Sequence, residues 1–233
     1  MIRNLLLALA TTGALVGGGA LALDTAAGQS DDTPPPRERI VIGLDLSKSN
    51  PLIADPAFAA KVGERIGAII GALGFGSEVH VRTFGNYDAT SNNFAYDAVL
   101  SVRNRPGNVA AEVQRLIAST PMLVKSGKWR AQDNTNILAF LDNLSEGIGC
   151  AGLPTTVILA SDGIEDSDYA RLGRDEAHLP APQGTPFKGC AAFEVLGLGE
   201  GTKSPRTTTR LRGEWAGWAH AAGFARFEGL NDW

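Results

Sequence analysis

From Arg39 onward, short apolar runs alternate with segments whose apolar residues recur every three or four positions. Arg39 to Leu46 is a compact run rich in β-branched residues and reads as a strand. Pro56 to Leu73 carries Phe58, Val62, Ile66, Ile69 and Leu73 at helical spacing, with Asp55 and Pro56 as an N-cap and first-turn pair and Gly74 as the stop. Glu78 to Phe84 and Phe94 to Arg103 form the next two strands, and the turn-rich stretch Gly85 to Asn93 between them suits an antiparallel hairpin. A helix capped by Asn108 follows, burying Val109, Val113, Leu116 and Ile117, and another opens at Asn134 or Thr135 with Ile137, Leu141 and Leu144 inward. Thr155 to Ala160 is apolar without interruption, which implies burial on both faces. Phe193 to Leu198 is a further strand, Thr208 to Ala222 a helix facing inward through Leu211, Trp215, Trp218 and Ala222, and Phe224 to Leu230 the closing strand. This alternation predicts an α/β fold, a three-layer sandwich of helices on a mostly parallel sheet.

Composition adds an address to that picture. The chain of 233 residues is 44% apolar and 20% charged, ordinary for one globular domain with a core of its own. A net charge of -4, with Arg and Lys scattered rather than striped among aromatics, predicts no nucleic-acid partner. Arg3 precedes an uncharged, apolar run from Leu5 to Leu23 with small residues at Ala20 and Ala22, so residues 1–23 read as an export signal, cleaved or retained as an N-terminal anchor. Any membrane attachment is expected through that segment alone, and the rest of the chain is expected in the periplasm or outside the cell. Residues 24–38, with Pro34, Pro35 and Pro36, read as an extended linker, and residues 39–230 as the domain. An oxidising destination favours a Cys150–Cys190 disulfide over two buried thiols.

Open α/β sheets carry their sites at the carboxyl ends of the strands. After the first strand comes Asp45-Leu46-Ser47-Lys48-Ser49, and after the strand Thr155 to Ala160 comes Ser161-Asp162-Gly163, while Thr135 stands at the start of a helix. Asp45, Ser47, Ser49, Thr135 and Asp162 are all oxygen donors. Such a set suits a hard divalent cation, Mg²⁺ first and Mn²⁺ or Ca²⁺ next, and the lack of Cys and His argues against zinc or copper. A chain curving away from a strand tip can turn alternate side chains to one point, which is the physical sense of the D-x-S-x-S spacing. The blander account is that Asp45 and Thr135 cap helices and Asp162 makes a turn.

The pieces D-L-S-K-S, N-T-N and S-D-G, in this order and on these elements, resemble the metal ion-dependent adhesion site of the von Willebrand factor A family, over about Arg39 to Leu230. The resemblance implies that Ser47, Ser49 and Thr135 give hydroxyls to the metal and that Asp45 and Asp162 hold it directly or through water. It also implies the strand order 3-2-1-4-5-6 with strand 3 antiparallel. That order makes the strands after Cys150 and Cys190 neighbours and puts the disulfide at the end of the sheet opposite the metal. Asn50-Pro51 after the serines, and Asn134 where glycine is common in the family, are departures from the pattern.

The function implied is an exported adhesion or assembly module whose metal takes a carboxylate presented by a protein ligand, with no catalysis. Trp129 and Arg130, beside Lys125 and Lys128, are candidates for the ligand-facing rim, as are Glu165 and Asp166 in the acidic stretch Glu165 to Asp175 of the long irregular segment Ile164 to Gly189. Simple loop packing and a solvated loop are the competing readings of those residues. The alternative class is a metal-dependent hydrolase of the phosphatase type, because haloacid dehalogenase-like phosphatases keep a nucleophilic aspartate at the end of strand one. They expect a second aspartate two residues later, where this chain has Ser47. No G-x-S-x-G elbow and no G-x-G-x-x-G order is present, and His80, His178 and His220 share no motif.

Overall fold

The computed structural model describes residues 34–86, 94–202 and 204–233. The expected signal and most of the linker, up to residue 33, lie outside the described residues, as does most of the hairpin turn. Among the described residues no helix is long and apolar enough to cross a membrane. The compact unit begins at Pro34, slightly ahead of the expected boundary. The end of the linker is tied to it, since the Gly74 N–H donates to the Pro36 carbonyl at 2.8 Å.

Six strands, β1 (Arg39–Asp45), β2 (Glu78–Phe84), β3 (Ala95–Val99), β4 (Thr155–Ala160), β5 (Ala192–Leu196) and β6 (Phe227–Leu230), form one sheet of order β3-β2-β1-β4-β5-β6. All pairs are parallel except β2 with β3. The α/β class, the strand order and the antiparallel third strand are those expected.

Helices α1 (Pro56–Gly71) and α2 (Pro106–Ala118) cover one face, and the short α3 (Thr120–Lys125) follows α2 directly. Val62, Ile66, Ile70, Val109 and Val113 pack there on Ile40, Ile42, Val79 and Val81. On the other face α4 (Ile137–Gly147) and α5 (Pro205–Ala222) bring Leu141, Leu144, Leu211 and Trp215 onto Val41, Val157, Leu159 and Phe193. The central strands are therefore apolar on both sides, and burying each such side chain contributes roughly 1.5–3 kcal/mol against exposure. Gly43 serves this packing: a Cβ there would lie 2.6 Å from the Leu159 side chain and 2.7 Å from the Phe140 ring. Beyond the reach of α4, the same face of β2 and β3 turns polar, with Arg39 paired to Glu78 at 2.7 Å and Arg82 to Asp97 at 2.8 Å.

Several boundaries differ from the sequence reading, each for a local reason. Helix α2 starts at Pro106, two residues before the expected cap Asn108, because proline presets the first turn; Arg105 stands at the cap without a side-chain bond. Helix α4 is capped by Asn136, which accepts from the Ala139 N–H at 3.1 Å, and not by Asn134 or Thr135. Helix α5 starts at Pro205 behind a Ser204 cap, three residues before the expected Thr208. Strand β3 stops at Val99 because Ser101 to Asn104 close a turn on themselves, and α3 and a 3-10 turn at Pro51–Ile53 were too short to leave a periodic signal.

Cys150 and Cys190 form a disulfide with Cα atoms 5.0 Å apart. It joins the lead-in to β4 with the lead-in to β5, at the amino ends of the strands.

Candidate metal-binding site

Strand β1 ends in Asp45, whose side chain has no exposed surface. The chain then turns sharply enough for the Ser47 N–H to donate to Asp45 Oδ1 at 2.8 Å, while the Ser161 hydroxyl, from the end of β4, donates to Oδ2 at 2.7 Å. Both carboxylate oxygens are thus held from two strands. Asn50 fixes the same junction from behind: its side-chain amide donates to the carbonyls of Asp45 at 2.9 Å and Ala160 at 3.0 Å, and its oxygen accepts the Leu52 N–H at 3.2 Å. The Asn50-Pro51 pair, a departure from the family pattern, is here a staple followed by the proline that starts the 3-10 turn.

The Ser47 and Ser49 hydroxyls lie 3.3 Å apart, and Ser49 is close enough to the Asp162 carboxylate to favour its charged form slightly. Asp162 Oδ1 accepts the Ile164 N–H at 2.9 Å. The next residue, Gly163, has φ +70°, and a Cβ there would meet Leu198 at 2.4 Å, so glycine alone allows the turn. Trp215 holds that turn by donating its indole N–H to the Gly163 carbonyl at 2.8 Å.

Thr135 reaches the same end of the sheet on a strip of backbone bonded on both sides. On one side, Lys48 N–H donates to the Gln132 carbonyl at 2.9 Å and Gln132 N–H to the Leu46 carbonyl at 2.8 Å. On the other, Thr135 and Asp166 exchange backbone bonds of 3.2 and 2.9 Å. The Thr135 residue is 2% exposed, and its hydroxyl has no hydrogen-bond partner among the described residues. That hydroxyl is not sealed from solvent, so a water or an ion can reach it.

The electrostatics point the same way. Burial pushes Asp45 up to about 6, and burial together with the charge of Asp45 pushes Asp162 up to about 7. Glu165, also buried, is raised to about 7 by desolvation. No lysine, arginine or histidine among the described residues ion-pairs with any of the three. Three buried carboxyls without a counter-charge favour either protons or a cation.

The donor set fits a hard cation. The oxygens gathered here are two carboxyls and hydroxyls, and no group of three or more His, Cys, Asp or Glu is arranged to hold a metal among the described residues. Two hydroxyls 3.3 Å apart are close to the separation of adjacent ligands around Mg²⁺, about 3 Å for bonds of about 2.1 Å. A groove of about 470 Å³ lined by Phe84, Phe140, Asn143 and Arg82 opens beside Asn136, alongside the oxygen cluster and not at it.

Of the rim candidates, Arg130 and Asp166 are exposed. Trp129 is not a free aromatic contact: it is half-buried, packed on Phe94 with ring centres 5.5 Å apart and against the α1–α2 core. Glu165 is not on the rim either. It is fully buried and accepts the N–H groups of Ile137 at 2.7 Å and Leu138 at 3.2 Å, closing the first turn of α4, with Ser167 donating to its other oxygen. The acidic run Glu165 to Asp168 disguised it, since nothing in such a run distinguishes the buried cap from its solvated neighbours. Asn50, Gln132 and Ser161 also escaped the sequence reading; only Ser161, within S-D-G, carried a signal.

No family model matches the chain, and no curated protein does. Solved structures with a similar fold include an aerotolerance-related membrane protein from Bacteroides fragilis, 12% identical over 84% of this chain and 92% of that one, at a TM-score of 0.47. Proximal thread matrix protein 1 from the mussel byssus is 13% identical at a TM-score of 0.47, over 85% of this chain and 45% of that one. BatB from Bacteroides thetaiotaomicron is 12% identical at 0.44, over 84% and 91%.

Proposed function

We propose that this is an exported binding module of the von Willebrand factor A type, in which Ser47, Ser49, Thr135, Asp45 and Asp162 hold a divalent cation, Mg²⁺ foremost. The cation serves as the contact for a carboxylate of a protein partner, in adhesion or assembly. The observation that carries this reading is the meeting of two buried carboxylates with no cationic partner and three hydroxyls at one end of the sheet, one of them with no hydrogen bond among the described residues. When bound, the metal supplies positive charge to a site that is otherwise rich in buried acceptors. Hydroxyl ligands neutralise little of that charge, which leaves it attractive to an outside anion.

The chain's own residues keep the site open. Ser161 and the Ser47 N–H orient Asp45, Ile164 orients Asp162, and the Gln132–Thr135 strip ties the Thr135 backbone to Asp166 and, through Gln132, to the Leu46–Lys48 turn. A buried Asp45 with both oxygens engaged suits a fixed support rather than a nucleophile, so the phosphatase reading gains no observation.

Calorimetric titration with Mg²⁺ and Mn²⁺ tests the proposal. The native domain should bind one ion, and the Asp45→Ala, Ser47→Ala double variant, if its circular dichroism stays native, should bind none; equal affinity in the two would refute the site. Metal-dependent phosphate-ester turnover abolished by Asp45→Asn would replace binding by hydrolysis.

A further inference from the structure

The surface around the site is polarised. The Gln132–Thr135 strip runs between two flanks, because it pairs with the Leu46–Lys48 turn on one side and with Asp166 on the other. On the first flank Lys48, whose position lies between the two serines, ion-pairs with Asp133; the two side chains are 63% and 70% exposed. Arg130, exposed and close enough to stabilise the Asp133 carboxylate, adds a second cation to that one anion. Lys128 is exposed two residues away. On the second flank exposed Asp166 and Asp168 share a shallow cleft with Asn134 and Arg171, and Asp166, 57% exposed, lies 3.9 Å from Arg171, a loose pairing in water.

We infer that the partner segment is acidic on one side only of the carboxylate that meets the metal, and docks with that side over Lys48 and Arg130. This rests on the metal-dependent reading above and adds the partner's charge pattern and direction. A second acid placed over Lys48 competes with Asp133 for an exposed ion pair of little net value and meets two cations, Lys48 and Arg130, against that one acid. The same acid placed over Asp166 and Asp168 meets like charge, which costs affinity and suppresses the reversed orientation. Trp129, packed on Phe94, takes no part; the discrimination is electrostatic and belongs to the rim.

The test uses fluorescent synthetic peptides with a central Asp in a Gly/Ser background, carrying two Glu before it, two Glu after it, or none. Binding to the full domain is followed by anisotropy in Mg²⁺ and in chelator. One Glu-flanked peptide should bind about five-fold tighter than the other, a difference equivalent to roughly 1 kcal/mol, and the gap should shrink as salt rises. Lys48→Ala with Arg130→Ala should close the gap, and Lys48→Glu should transfer the preference to a peptide with Lys in place of the favoured Glu. Equal Mg²⁺-dependent binding of both orders would overturn the flank assignment while leaving the metal reading intact. Binding indifferent to chelator, or none by any peptide, would count against both.

Discussion

The two ends of the parallel sheet are held together in opposite ways. At the amino ends of β4 and β5 the chain is cross-linked: the Cys150–Cys190 bridge joins the two lead-ins, and the Arg39 guanidinium donates to the Ala151 carbonyl at 3.1 Å while pairing with Glu78. At the carboxyl ends, Asp45, Asp162 and Glu165 are buried together with only hydroxyl and backbone donors around them. One end satisfies its charges within the chain. The other leaves acceptors in excess, held by Asn50, Ser161 and the Gly163 turn, and that surplus is what the proposed cation would neutralise. A fold can accept the cost at one end because the opposite end and the two apolar layers stabilise it independently.

Breaking the first end should produce the largest change in stability. The bridge closes a loop between positions 40 apart in sequence, for which the chain-entropy model gives about 4 kcal/mol. Replacing both cysteines by serine should lower the unfolding free energy toward that extent in denaturant titrations while leaving Mg²⁺ affinity within about two-fold, since additivity holds for distant sites. A loss of metal binding on the same scale would show that the two ends are not independent.

At the second end, Glu165→Ala should cost about 2–3 kcal/mol, because it leaves the Ile137 and Leu138 N–H groups buried without acceptors. Glu165→Gln keeps an acceptor for them and should cost much less. The same pair of variants, compared by thermal unfolding in chelator, separates the helix cap from any role of charge; equal losses would contradict the capping assignment.

A smaller effect is expected from pH. The folded carboxyls of Asp45, Asp162 and Glu165 titrate at about 6 to 7, above their unfolded values near 4. The native state therefore binds more protons than the unfolded chain in this window, and metal-free stability should fall as pH rises from about 4 to about 7 and then level off. Mg²⁺ should raise the melting temperature more above that window than within it, because below it protons already fill the site. A metal-free melting temperature that rises steadily across the window, with a flat Mg²⁺ increment, would contradict this account.

How much of this was legible in the residues follows from periodicity and locality. The uninterrupted apolar run Thr155 to Ala160 matches β4 residue for residue, and Asp55-Pro56 marks the start of α1 because cap and first turn are sequence-local. The oxygen donors were visible as short motifs at strand tips. What holds them was not: Asn50 joins β1 to β4, Ser161 reaches Asp45 from 116 positions away, and Glu165 caps a helix that begins 28 positions earlier. Those contacts depend on which strands become neighbours, and no window along the chain contains both partners. Trp129 illustrates the converse error, since a tryptophan among basic residues reads as exposed until Phe94, 35 positions away, is seen against its ring.

The most direct measurement of the central claim is anomalous diffraction from crystals of the domain soaked in Mn²⁺. The account predicts a single strong peak at the carboxyl ends of β1 and β4, about 2.2 Å from the Ser47 and Ser49 hydroxyl oxygens and within reach of Thr135. No peak there at saturating Mn²⁺, or a peak that avoids all three hydroxyls, would contradict it.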